Sequence, residues 1–149
     1  MAHFIKHTAL PFFITCLCAF LLASALHSIF VLKALTDIDI EIGLTEALQM
    51  IGSDIVGLLP TYGVIIAATL TLAFTFARFV FLKQQKPASF TVLIYALAGM
   101  VGFFVMLSAM QPILNVTLIA GARSTAGFIA QCCAGVFAGI VFSSLKQRF

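Results

Sequence analysis

Apolar residues fill the chain in long unbroken runs, with the polar residues set between them. The first run, 9–32, carries no charge, and a second, 55–82, carries only Arg78. From Pro87 to Ala122 there are 36 residues without a formal charge, and 22 more lie between Arg123 and Lys146. Twenty-two helical residues cover roughly 33 Å at about 1.5 Å each, and a bilayer core is about 30 Å thick. The 87–122 run is too long for one straight span. Gln111-Pro112 divides it, because proline lacks an N–H and its ring clashes with the preceding turn. The pattern predicts four transmembrane helices at about 9–34, 55–82, 89–110 and 122–145. The apolar connection PILNVTLIAG (112–121) either lies in the interface or dips back into the membrane, where non-helical backbone is tolerated only inside protein.

The polar stretch 35–54 forms the first outer loop. Asp37-Ile38-Asp39-Ile40-Glu41-Ile42 alternates with period two and reads as extended. Leu44, Ala47, Leu48, Ile51 and Ile55 then recur at helical spacing. They predict a short amphipathic helix, about 44–52, along the membrane surface or under the rim of the bundle. Ser53-Asp54 is suited to cap the span that follows, with a side-chain oxygen on free N–H groups and a negative charge at the positive helix end. Pro60 ends a first turn there or kinks the helix.

Composition supports this pattern: 62% of residues are hydrophobic and 9% charged, against about 25% charged in soluble domains. The expected fold is therefore all-α, an integral membrane bundle of four transmembrane helices in one domain spanning 1–149. The first run continues past Ala23-Ser24-Ala25, so it reads as a retained helix rather than a cleaved signal. Charge sets the orientation. Lys6, Arg78, Lys83, Lys86, Lys146 and Arg148 fall on one side, while Lys33, Arg123 and every acid fall on the other. The basic side, with both termini, is expected in the cytoplasm. The net charge of +3 is scattered, with no basic stripe, so nucleic acid is not an expected partner.

The fourth helix has an unusual face. Ala122, Ala126, Ala130, Ala134 and Ala138 repeat every four residues, with Gly127, Gly135 and Gly139 beside them. Small residues at this spacing let a second helix approach closely, which is how helices associate in lipid. Tyr95, Ala96, Gly99 and Gly102 give the third helix a small face of its own. Expected partners are membrane lipids and either further copies of the chain or a larger membrane complex.

Candidate chemistry gathers near the outer face. His27 and Ser28 close the first helix, with Ser24 a turn deeper. Asp54, Thr61 and Tyr62 open the second. Gln111, Asn115, Arg123, Ser124 and Thr125 surround the start of the fourth. An ionisable residue in or near a span is costly without a partner, and Asp54–Arg123 is the pair that the topology favours. Arg123 at a helix N-terminus, with the free N–H groups of Ser124 and Thr125, would favour an anion. Gln131 lies about 12 Å deeper, as interhelical glue or as the lining of a pathway, and Tyr95 is expected near its depth. The candidate binding residues are thus Arg123, Asp54, His27, Ser124, Asn115 and Gln131. No metal site is expected. Cys16, Cys18, Cys132 and Cys133 sit in apolar runs without a CxxC motif, the three histidines lack zinc spacing, and the acidic stretch has Ile42 and Leu48 where a calcium loop needs Gly and Glu. There is no nucleophile–base pair and no phosphate-binding loop, so neither an enzyme nor a cofactor is expected.

At 112–127, PILNVTLIAGARSTAG, the chain resembles a group of uncharacterised small four-helix inner-membrane proteins of proteobacteria. The resemblance implies a bacterial inner membrane and a chain that works alone or as a small subunit. The expected function is a structural or accessory membrane protein packing through small-residue helix faces. The alternative is a small transporter, channel or lipid-handling protein that uses the outer polar cluster.

Overall fold

The computed structural model describes residues 8–37, 43–81, 87–114 and 124–148. No strand occurs among the described residues. The expected extended stretch at 38–42 and the connection from 115 to 121 lie outside them. The helices are α1 (Leu10–Thr36), α2 (Leu44–Leu58), α3 (Val64–Phe81), α4 (Ala88–Leu114) and α5 (Thr125–Arg148). A π-helical turn, Leu59–Gly63, joins α2 to α3. Four helical segments are long and apolar enough to cross a membrane: Leu10–Thr36, Leu44–Phe81, Ala88–Met110 and Thr125–Arg148.

Two helix ends differ from the sequence expectation. No break separates the amphipathic helix from the second span: Leu44–Phe81 is one helix of 38 residues. Ser53 caps nothing; its hydroxyl donates to the Met50 carbonyl at 2.9 Å within the helix. The start lies instead at Gly43, whose extended backbone N–H donates to the Glu46 carboxylate at 3.2 Å. That is one half of a capping box, and it puts a negative charge at the positive end of the helix dipole. At Pro60, expected to end a first turn or to kink the helix, the distortion is a π turn. Proline has no N–H for the carbonyl one turn earlier, and the helix widens at that point. Likewise α4 runs through Gln111-Pro112 to Leu114. A proline this near the end of a helix costs few backbone bonds.

The tightest contact joins α4 and α5, which run antiparallel. α1 packs on α5, α3 packs on α4, and α2 lies along α1. The glycines explain the closeness. A Cβ built on Gly135 would fall on the Gly99 carbonyl oxygen and 2.9 Å from Phe103 Cδ2, and one on Gly139 would fall on the Tyr95 carbonyl and 2.6 Å from Ala96 Cα. The small face of α5 therefore meets Tyr95, Ala96 and Gly99 of α4, while Gly102 faces Thr69 and Ala73 of α3. Ala134, Gly135, Ala138 and Gly139 are buried there, and Gly127 is buried one end further along. Ala126 is exposed and Ala130 half-buried, so the alanine row is only partly covered.

On α2 the face toward α1 is the half-buried set Ala47, Met50, Ile51, Asp54, Ile55 and Leu58. Its 3,1,3,1,3 spacing is that of one helix stripe. Leu44 and Leu48, expected in that stripe, are 80% and 62% exposed.

Candidate functional site

The buried polar groups fall at separate heights along the bundle. The outer height joins α1 and α2. Ser28 is fully buried and His27 nearly so. The Ser28 hydroxyl donates to Asp54 Oδ2 at 2.8 Å and also lies 3.2 Å from the Ser24 carbonyl oxygen. A hydroxyl has one proton, so the shorter, charge-assisted contact dominates. Asp54 reaches Ser28 because α2 continues unbroken into α3, which places the acid within a helical span rather than at its start. Ser24 Oγ, one turn deeper, is buried and has no hydrogen-bond partner among the described residues.

The central height is built on Gln131 of α5. Its side chain is fully buried and both ends of the amide are used. Tyr62 donates its hydroxyl to Oε1 at 3.0 Å, and Nε2 donates to the Ala23 carbonyl oxygen at 2.9 Å. Tyr62, also fully buried, sits in the π turn and meets Phe20 of α1 edge-on at 6.5 Å. Tyr95, expected near this depth, lies elsewhere. It packs against Gly139 and Phe142, two turns nearer the other end of α5. Tyr62 was expected with Asp54 near the outer face and lies instead at the central height with Gln131, a placement set by the register of three helices at once.

Ser124 is the N-cap of α5: its hydroxyl accepts from the Gly127 N–H at 3.0 Å, and its carbonyl accepts from Phe128 N–H at 2.9 Å. That cap already occupies one of the free N–H groups that an anion at this helix end would use. Arg123 and Asn115, and with Arg123 its pairing to Asp54, lie outside the described residues.

The chemistry open to this arrangement is narrow. Ser28 donates directly to the carboxylate, so the His27 imidazole does not stand between hydroxyl and acid as acyl transfer requires. Among the described residues no group of three His, Cys, Asp or Glu side chains is placed to hold a metal ion. The four cysteines are free thiols. Between α3 and α4 an open groove of about 900 Å³ is lined by apolar side chains such as Leu72, Phe76, Leu97 and Val101.

No protein-family model, curated protein or solved structure matches the chain. The site therefore has to be read from its own residues.

Proposed function

We propose that the chain is a multi-pass protein of the bacterial inner membrane, with both termini in the cytoplasm and a structural or accessory role in a membrane assembly. The observation that carries this reading is the closed polar core. Gln131, the buried amide at the centre of the described bundle, is bonded at both ends within the chain. Such groups fix helix positions rather than pass a solute. The α4 and α5 glycine faces are used internally, so association with another protein uses an outer face. The orientation rests on the charge asymmetry. Arg78, Lys146 and Arg148 stand at one end of the bundle, and Asp37, Glu46 and Asp54 toward the other.

One observation favours a second reading, a small transporter. Asp54 is an acid in a helical span, held by a buried serine with a buried histidine next to it in sequence. Intramembrane acids commonly carry ions or protons. Two measurements separate the readings. The structural role expects cross-linking in native membranes to give a discrete higher-mass species, and purified protein in liposomes to leave a pH gradient intact. A gradient that collapses with the native chain and holds with Asp54→Asn would replace the first reading with the second.

A further inference from the structure

The end of the bundle away from the acids carries two cations above an aromatic layer. Phe74 of α3 and Phe142 of α5 stack at 4.7 Å, with Tyr95 of α4 edge-on to both at 5.4 and 5.0 Å. Helices α3 and α5 run parallel here. Arg78 lies four residues beyond Phe74, and Lys146 four residues beyond Phe142. Residues four apart share a helix face, so both cations stand one turn above the same ring pair. Lys146 is half-buried. Its ammonium donates to the Tyr95 hydroxyl at 3.2 Å and lies 5.4 and 5.8 Å from the Tyr95 and Phe142 ring centres.

Two neighbouring cations repel, and a carboxylate is the usual remedy. Among the described residues no acidic side chain stands at this end. All five acids fall between Asp37 and Asp54. Asp54 is 24 residues before Arg78, about 36 Å along the helix at roughly 1.5 Å per residue. The Tyr95 hydroxyl accepts from Lys146 and keeps its own proton, which goes to no described residue. An ammonium tied to a buried phenol, and a guanidinium at the same level of the neighbouring helix, thus stand without an acidic side chain among the described residues.

We propose that Arg78 and Lys146, the latter positioned by the buried Tyr95 hydroxyl, bind the phosphate of an anionic phospholipid in the leaflet at this end of the bundle. The proposal rests on the membrane reading above. Phosphate oxygens accept from both cations, and the attraction is chiefly one of charge. The surroundings select a lipid over a free ion. Phe76, Phe79, Val80 and Phe81, on either side of Arg78 in sequence, are 63, 64, 50 and 50% exposed, an apolar surface for acyl chains directly below a headgroup. An anionic headgroup is selected over a zwitterionic one, because the latter brings a further cation to a site that already has two. Basic pockets between spanning helices are known to favour anionic lipids.

The test uses the full chain and vesicles of phosphatidylcholine with or without phosphatidylglycerol. Flotation with phosphatidylcholine vesicles reports membrane insertion. Native mass spectrometry after mild detergent extraction from mixed vesicles reports which lipid is retained. The expected result is flotation, with phosphatidylglycerol enriched over phosphatidylcholine. Arg78→Gln and Lys146→Gln should each lower the enrichment roughly fivefold, while Arg78→Lys keeps most of it. Equal retention of both lipids, or full enrichment in the double Gln variant, overturns the site while leaving the membrane reading intact. A loss in Arg78→Lys as large as in Arg78→Gln, reporting disturbed folding rather than lost charge, also overturns it. Displacement of the retained lipid by inorganic phosphate overturns the choice of a lipid. Failure to float overturns the membrane reading itself.

Discussion

Gly135→Ala adds one methyl group at the closest approach of α4 and α5. The added Cβ would overlap the Gly99 carbonyl oxygen, and would stand 2.8 Å from the Gly99 carbonyl carbon and 2.9 Å from Phe103 Cδ2. Carbon atoms pack at about 3.5–4.0 Å, so the helices must separate by about 1 Å locally. The nearest atoms are backbone, which cannot rotate away as a flexible side chain would. Overpacking of this kind costs about 1–3 kcal/mol. Against that, Ala is about 1 kcal/mol better than Gly as a helix former. Gly52→Ala isolates the second effect, because a Cβ at Gly52 meets nothing within 4 Å. Both variants share the propensity gain, so they should differ by the overpacking cost, roughly 1–3 kcal/mol, with Gly52→Ala above the native chain and Gly135→Ala at or below it. Gly135→Leu should be worse still. Equilibrium unfolding in mixed micelles, followed by circular dichroism, reads the difference. A Gly135→Ala chain as stable as Gly52→Ala would refute the account of this contact.

Three further outcomes follow from the hydrogen bonds. Tyr62→Phe leaves Gln131 Oε1 without its donor and should cost about 1 kcal/mol, as interhelical bonds in membranes do; in a cycle with Gln131→Leu the two losses should add to less than their sum, and strict additivity in micelle unfolding would show the bond to be idle. Ser28→Ala removes the donor to Asp54 and should destabilise by about 1–3 kcal/mol, with the effect vanishing in an Asp54→Ala background; an unchanged effect there would place its origin outside the pair. Ser124→Ala should cost about 1 kcal/mol and raise hydrogen exchange in the first turn of α5, read at the Gly127 amide; unchanged exchange would mean that the cap contributes nothing.

Sequence carries the helices and the small-residue faces, and the reason is physical. An uncharged run of 22 residues has few alternatives to a span, and Gly135 and Gly139 announce a close contact wherever they meet a partner. That the partner is Gly99 and Tyr95 of the same chain depends on which antiparallel neighbour lies beside α5, and no local pattern encodes that. Gln111-Pro112 misleads for a related reason, and Pro60 shows what a helix does instead of ending. A proline argues for an end when only its missing bond is weighed, yet Pro60 sits inside a long apolar helix whose interruption in an apolar setting leaves further backbone groups unpaired. Widening to a π turn loses less. The Ser53-Asp54 break is a separate misreading: with the helix broken there Asp54 reads as a cap, and with it continuous Asp54 is a partly buried acid facing Ser28. Of the six candidate binding residues, Asp54 and His27 share the outer height and Gln131 forms the centre, while Ser124 serves as the cap of α5.

The π turn also explains how one helix serves two polar contacts. Asp54 and Tyr62 are eight residues apart, and both reach α1: Asp54 accepts from Ser28, and Tyr62 meets Phe20, likewise eight residues apart. An α-helix turns about 100° per residue, so eight residues would leave the two side chains roughly 80° apart in direction. A wider turn holds more residues per revolution and rotates less per residue, which brings the pair back toward one face. α2 can then lie on α1 while Tyr62 still points inward to Gln131. Apolar surfaces alone do not select this arrangement, because lipid tails satisfy Leu and Phe as well as another helix does. The contacts that discriminate are the Ser28–Asp54 bond, the doubly bonded Gln131 and the Gly99–Gly135 approach. Together they tie α1 to α2, α5 to α1 and the π turn, and α4 to α5. Each link is short, specific and confined to this chain, which is why the bundle's interior reads as a closed scaffold and its exchange with the surroundings is left to the outer faces and the charged ends.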